Sequence, residues 1–505
     1  MLLTPHAFGP DAPRQGRDAA RLAAALASGG DARIRPDAGG RNIYHASVLP
    51  SDALAYGSST ISSISQHAFD TLARRWRHRL DRPVAANDYA EGLAMLRARL
   101  ADYFGLADAP DTDIVFAASG TDLEYAGLAA AWDGRAITTI LLGRDEVGSG
   151  CIHSAAGRFF AAETATGARV VAQAAIDPAF AGTELVDVAV RDPAGRPRAS
   201  AAVAAELSLH IERAAAHGRK AVVHVVHGSK TGLTLPALGD VESLVAAHGA
   251  AMTVVVDACQ LRIAAAVVRR YLALGCVVLM TGSKFAGGPP FAGFALVPAA
   301  LRDRAQPLPA GFRRVATRAE WPAAWPGADT LPASGNFGLL LRLEAALIEM
   351  ERFAAVPPER VTAIAERFGH HVAQLVRRLE LADVPGTGAA CLATRTLHTL
   401  DLSRRWPQCD FDAARAIHVA IARQSRRWLG QEIRVGQPVR THMMPDGRAA
   451  GTLRLSLSMP LIAELAVLPP AAIDARLDSD MTLVGAAISA AASTTPALRL
   501  PVPLG

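Results

Sequence analysis

Residues 252–290, MTVVVDACQLRIAAAVVRRYLALGCVVLMTGSKFAGGPP, hold two apolar runs either side of a segment with helical character through Ala273. Short β-branched runs joined by a helix are the pattern of buried parallel strands with a crossover between them. The first run closes on Asp257 and the second on Thr281-Gly282-Ser283-Lys284. Lysine is scarce in this chain. It stands only at 220, 230 and 284, so 49 of the 52 basic residues (52 less 3) are arginine. A surface cation is freely exchanged for arginine, but a nucleophilic amine that must lose its proton is not. Lys284, between an apolar run and a Gly-Pro turn, is therefore a candidate for amine chemistry.

The same alternation extends in both directions. DIVFAAS (113–119), AITTILLG (136–143), ARVVAQ (168–173), ELVDVAV (184–190), KAVVHVVHG (220–228) and AGFALVP (292–298) are apolar runs separated by helical stretches. This predicts an α/β domain over 110–310, built on a mostly parallel sheet of about seven strands with helices on both faces. Residues 1–109 read as a loose arm to about residue 40 and then helices, and 311–335 read as a linker. Residues 336–480 form a smaller α+β domain, and 481–505 an Ala-, Thr- and Pro-rich frayed tail.

At 505 residues, with 50% hydrophobic and 20% charged residues, the chain suits a globular protein of more than one domain. The formal charge of +5 is mild, and the arginines are scattered without aromatic-basic alternation or finger spacing. Nucleic-acid binding is disfavoured, and a small carboxylate or phosphate is the expected anionic partner. The five cysteines are far apart and form no C-x-x-C. With no metal cluster, no signal-peptide pattern and no membrane-length apolar run, a reduced, cytoplasmic, membrane-free protein is expected.

Ligands of open parallel sheets bind where the strands end. Ser119-Gly120-Thr121-Asp122 turns directly from a strand into a helix, either as an anion cradle or as a plain N-cap. Asp257 either pairs with a cation or caps the next helix, and Gln260 follows it by three residues. Lys284 could form an imine in a Gly-lined cleft, and Lys230, in a second Gly-Ser-Lys, is its rival.

In this order the motifs resemble fold-type I pyridoxal-phosphate enzymes, specifically the class V aminotransferase and cysteine desulfurase-like superfamily, over about residues 110–460. The resemblance implies that Gly120, Thr121 and Asp122 hold the cofactor phosphate and that His153 stacks on its ring. Ser229 of HGSKTG, Asp257 and Gln260 of VDACQ, and Ser283 beside Lys284 complete the cofactor contacts it implies. Lys284 would carry pyridoxal 5′-phosphate as a Schiff base and, with His153 and Asp257, make the catalytic set. Arg454 of LRLSL would hold the substrate carboxylate. Gly335 and Asn336 of SGNFG would reach a neighbouring subunit's phosphate, implying a homodimer with shared sites. Asn42, Tyr44 and Ser58 are candidates for contact with the substrate, with plain packing roles as the alternative. An amino acid is the implied substrate, transamination the leading reaction and β-elimination the alternative. A non-catalytic binding protein with the inherited fold is the remote third. No loop with a desulfurase's nucleophilic thiol is recognisable, since Cys391 and Cys409 sit in ordinary contexts.

Overall fold

The computed structural model describes residues 12–57, 61–79, 85–384, 386 and 391–498. Seven strands make the central sheet: β1 Thr112–Ala117, β2 Ile137–Leu142, β3 Glu184–Val188, β4 Lys220–His227, β5 Met252–Asp257, β6 Val277–Thr281 and β7 Gly293–Pro298. Their spatial order is β1-β7-β6-β5-β4-β2-β3. Strand β7 runs antiparallel to both its neighbours, and every other neighbouring pair is parallel. The two-residue strand Thr234–Leu235 adds a short antiparallel flap to β4. Strands β2, β5, β6 and β7 are buried at every residue, which is why they read as unbroken apolar runs rather than alternating ones. The run 168–173 is no part of the sheet. It carries Arg169 in its middle, and Val171 is 74% exposed.

Helix Gly120–Ala131 follows β1 and is buried from Thr121 onward, so it is apolar almost all round rather than on one stripe. Its Glu124 lies 3.0 Å from Nδ1 of the equally buried His224, one buried acid matched to one buried base.

The smaller domain has a three-stranded antiparallel sheet, Ala382–Asp383, Leu397–Asp401 and Thr452–Ser456, packed with long helices. Three expected boundaries shift. The early chain is no loose arm: helix Ala12–Leu26 buries Leu22 and Leu26, and Leu54–Tyr56 pairs in parallel with Ile433–Val435 of the smaller domain. The 311–335 linker packs Phe312, Trp321, Trp325 and Leu331 into one core with Val115 and Leu123, because its aromatics outweigh its Gly and Pro. The tail is largely helix Pro470–Thr494, whose Val484, Ile488 and Ala491 are fully buried at helical spacing.

One buried arginine ties the N-terminal segment to the rest. Arg342, on helix Phe337–Ala354, donates to the carbonyls of Leu26 (2.8 Å), Ser28 (2.6 Å), Gly29 (2.9 Å) and Phe291 (2.8 Å). Replacing it by leucine takes its donor from the carbonyls of Leu26, Ser28 and Phe291 at once, while Gly29 keeps the bond from Asn336. Arg342→Leu is expected to lower unfolding free energy by about 3–5 kcal/mol in urea titration and to open residues 12–30 to limited proteolysis.

Candidate active site

The carboxyl ends of β5 and β6 and the turn after β1 open onto one cavity of about 400 Å³. That is the usual ligand position in open α/β sheets and an ordinary size for a small-molecule site. Asp257 closes β5 at 9% exposure, with Oδ1 accepting from the Cys259 amide at 2.9 Å. No described residue hydrogen-bonds its Oδ2. A buried carboxylate in this condition calls for a cation or strong donor from the cavity side.

Lys284 enters from the turn after β6. That turn has no space for side chains: a Cβ on Gly282 or Gly288 would lie 2.3 Å or 2.8 Å from the Ala346 methyl. Gly282 N–H donates to Ala292 O at 2.7 Å and Gly288 N–H to Gly282 O at 2.9 Å, which fixes the backbone carrying the amine. Phe291, whose ring lines the cavity, has φ +72°, a strained value for a bulky residue, and its carbonyl is held by Arg342.

At the start of helix Gly120–Ala131, Ser119 accepts from the Asp122 amide at 3.3 Å and donates its hydroxyl to the Asp122 carboxylate. The amides of Gly120 and Thr121 have no partner within the helix, by the geometry of helix starts. A Cβ on Gly120 would stand 3.0 Å from Cys259 Sγ and 3.1 Å from Thr281 Cγ2, so only glycine lets the turn settle this deep. Arg33 reaches the same end from the N-terminal segment. It forks onto Asp31, donates to Ser119 Oγ at 3.3 Å and lies over the rings of Phe160 (4.7 Å) and Phe291 (4.8 Å). Burial opposes its charge, but the bonds to Asp31 and the nearby Asp122 more than offset this and raise its pKa. Burial pushes the Asp122 carboxyl up to about 6 against the pull of Arg33 and Ser119.

The opposite wall comes from the smaller domain and the loop after β4. Arg454 Nε donates to Gln437 O at 2.8 Å and Nη1 to Lys230 O at 3.2 Å, and burial lowers its pKa to about 10. Lys230 Nζ donates to Asp145 O at 3.1 Å, and burial followed by the charges of Arg454 and Lys284 brings it down to about 8. Gln260 Oε1 accepts from Arg262 at 2.8 Å. Arg262 also bonds Thr396 Oγ1 and Leu457 O, which joins the large domain to the smaller one directly behind the cavity.

Of the residues expected from sequence, Gly120, Thr121, Asp257, Gln260, Ser283, Lys284, Arg454 and Tyr44 line this cavity. Others stand elsewhere for identifiable reasons. His153 is half-buried in the short turn Cys151–Ser154, but Cys151 and Ile152 form the lining. Ser229 is drawn off by Glu146 Oε2 at 2.7 Å, leaving Lys230 as the lining residue of that loop. Asp122 is covered by Ser119 and Arg33. Asn42 spends its carbonyl oxygen on the amides of Tyr44 and Ala46. Asn336 caps helix Phe337–Ala354 and donates to Gly29 O at 2.9 Å; with Gly335 it lines a separate cavity. Ser58 lies outside the described residues. Sequence reasoning missed Arg33, Phe291 and Arg440. Their only sequence signals were the DARI turn (31–34) and the GGPP run ahead of Phe291.

No family model matches this sequence, and no curated protein matches it. Solved structures do. A NifS-like protein of Rickettsia africae superimposes with a TM-score of 0.54 at 11% identity, covering 88% of this chain and 100% of that one. An alanine–glyoxylate aminotransferase of Nostoc sp. gives 0.53 at 13% identity, covering 88% and 96%. The Sphingomonas wittichii serine palmitoyltransferase gives 0.50 at 13% identity, covering 98% and 100%. Similarity at these identities is a matter of fold: the chain has the fold-type I architecture of pyridoxal-phosphate-dependent transferases, with its large sheet, smaller domain and strand-end cavity.

Proposed function

We propose that the protein is a pyridoxal-phosphate-dependent enzyme acting on an amino acid, with transamination as its reaction. One observation carries the reading: an amine, a buried acid with an unbonded oxygen, a glycine-started helix and a buried arginine all face a single cavity. The residues present suit the cofactor. The amides of Gly120 and Thr121 and the charge of Arg33 are matched to its phosphate, Asp257 Oδ2 to its ring nitrogen, and Lys284 Nζ to its aldehyde carbon. When bound, pyridoxal phosphate supplies an electron sink for negative charge developing on the substrate's Cα.

The chain's own residues then have separate tasks. Arg454 takes the α-carboxylate and fixes the substrate's orientation. Asp257 keeps a proton on the nitrogen it faces, so the sink stays cationic. Lys284, as the free amine, would remove the Cα proton and return it two atoms away, on the far side of the substrate nitrogen, as transamination requires. Gln260, held by Arg262, lines the same cavity as Lys284, and the Tyr44 and Phe291 rings, 6.4 Å apart, add an aromatic wall. A persulfide route of the desulfurase kind draws no support from the lining thiols. Burial, then the charges of Glu124 and Asp257 for Cys151 and of Asp257 for Cys259, raises both well above the usual thiol range.

Protein purified with pyridoxal phosphate is expected to show a visible absorption band that borohydride removes. Lys284→Ala abolishes that band and Lys230→Ala retains it; survival of the band in Lys284→Ala refutes the assignment. Asp257→Asn is expected to lower kcat about 100-fold or more while the band persists. With an amino acid and a keto-acid acceptor, one keto acid should form per amino group transferred. Ammonia release without an acceptor would instead identify elimination.

A further inference from the structure

Six cationic side chains line the cavity, Arg33, Arg144, Lys230, Lys284, Arg440 and Arg454, against only two carboxylates, Asp145 and Asp257. Some of this excess is neutralised from behind. Arg33 is bidentate to Asp31, and Arg144 lies 3.7 Å from Asp187. Asp257 serves the Lys284 side of the cavity. Glu146, the nearest acid beneath the loop after β4, is already shared by Ser229, Thr231 and Arg191.

Three cations remain. Arg454 bonds only backbone carbonyls, Lys230 only the Asp145 carbonyl, and Arg440 lies over the Phe411 ring at 4.3 Å. Among the described residues, no carboxylate comes within ion-pair distance of any of them. Gathering like charges in a partly desolvated cleft is costly unless a ligand supplies the countercharge. Burial lowers the pKa of both Lys230 and Arg454, and for Lys230 the charges of Arg454 and Lys284 add to it. The α-carboxylate of an amino acid satisfies one cation, Arg454. The phosphate is provided for elsewhere, at Gly120, Thr121 and Arg33. Lys230, on the loop after β4, and Arg440, on the loop preceding the Arg454 strand, are left over.

We infer that the substrate is an amino acid whose side chain ends in a carboxylate, and that Lys230 and Arg440 receive this second anionic group. The inference rests on the reading of the site given above. It makes Lys230 and Arg440 specificity residues rather than participants in proton transfer. It also accounts for the lysine that stands in the loop where Ser229 turns away to Glu146. A flexible, strongly hydrated amine on a loop adapts to a side-chain carboxylate of variable reach, and the exposed Arg440 adds a planar fork.

The test uses two unreactive acids, glutarate and butyrate, titrated calorimetrically into the full-length protein with pyridoxal phosphate added. They share the same three-carbon stem and differ only in the second carboxylate, which is a hydrogen in butyrate, so the readout is binding and not turnover. Glutarate is expected to bind about 10-fold or more tightly than butyrate. Arg440→Gln, at an exposed position that does not threaten folding, should remove most of that difference by weakening glutarate alone, and Lys230→Met should do the same. Equal affinity for the two acids overturns the inference, as does a ratio that survives both substitutions. The borohydride-sensitive band reports separately on the cofactor. Its presence with no preference between the acids sinks this inference alone. Its absence sinks the cofactor reading and leaves the acid comparison able to judge the pocket.

Discussion

Gly282 and Gly288 press against Ala346 so closely that only its methyl fits between the two backbones, and the placement of Lys284 depends on that contact. Helix Phe337–Ala354 carries Ala346 there, and four residues earlier the same helix carries Arg342, which holds Phe291 and the end of the N-terminal helix. A single helix thus fixes the amine, an aromatic wall of the cavity and the segment that delivers Arg33 and Tyr44. A methyl group added at either glycine displaces the turn, because close-packed interiors have no slack to absorb it.

The electrostatics of the cavity follow from its depth. Arg33 remains charged because Asp31 and Asp122 attend it; Arg454 and Arg262, with carbonyls, hydroxyls or an amide for company, are pushed down to about 10 and about 9 mainly by burial. The two ends therefore differ in character. One is a balanced cluster at the helix start, and the other is a set of under-compensated cations spanning both domains. Negative charge placed at the second end lowers the cost of gathering those cations there.

The legible parts of the sequence were those with a single local cause. Strands β5 and β6 were visible as apolar runs because both faces are buried, and Asp257 and Lys284 stood out as polar residues ending such runs. The resemblance to a known superfamily carried the fold, and of the residues it implied Gly120, Thr121, Asp257, Gln260, Ser283, Lys284 and Arg454 line the cavity. Other expected side chains are engaged by neighbours within the chain: Ser229 by Glu146, Asn336 by Gly29, and Asn42, whose packing role was the alternative, by its own turn. Those partners lie on distant segments or depend on loop geometry, so no motif announced them. Arg33 was hidden in another way. Among so many arginines one more carries no compositional signal, and it meets Ser119 across a sequence separation of 86. The misread linker shows the opposite imbalance: Gly and Pro suggested a spacer, while Trp321 and Trp325, at T-shaped contact, made it part of the core.

The pairing of Leu54–Tyr56 with Ile433–Val435 has a consequence for how the molecule comes to exist. The seven-stranded sheet has all its strands once Pro298 has been made, and its neighbours are mostly close in sequence. In the smaller domain, residues 54–56 must wait for residues 433–435 before this pairing can form. Its closure is a long-loop event, slow for entropic reasons, and it comes after a nearly finished partner is already in place to act as template.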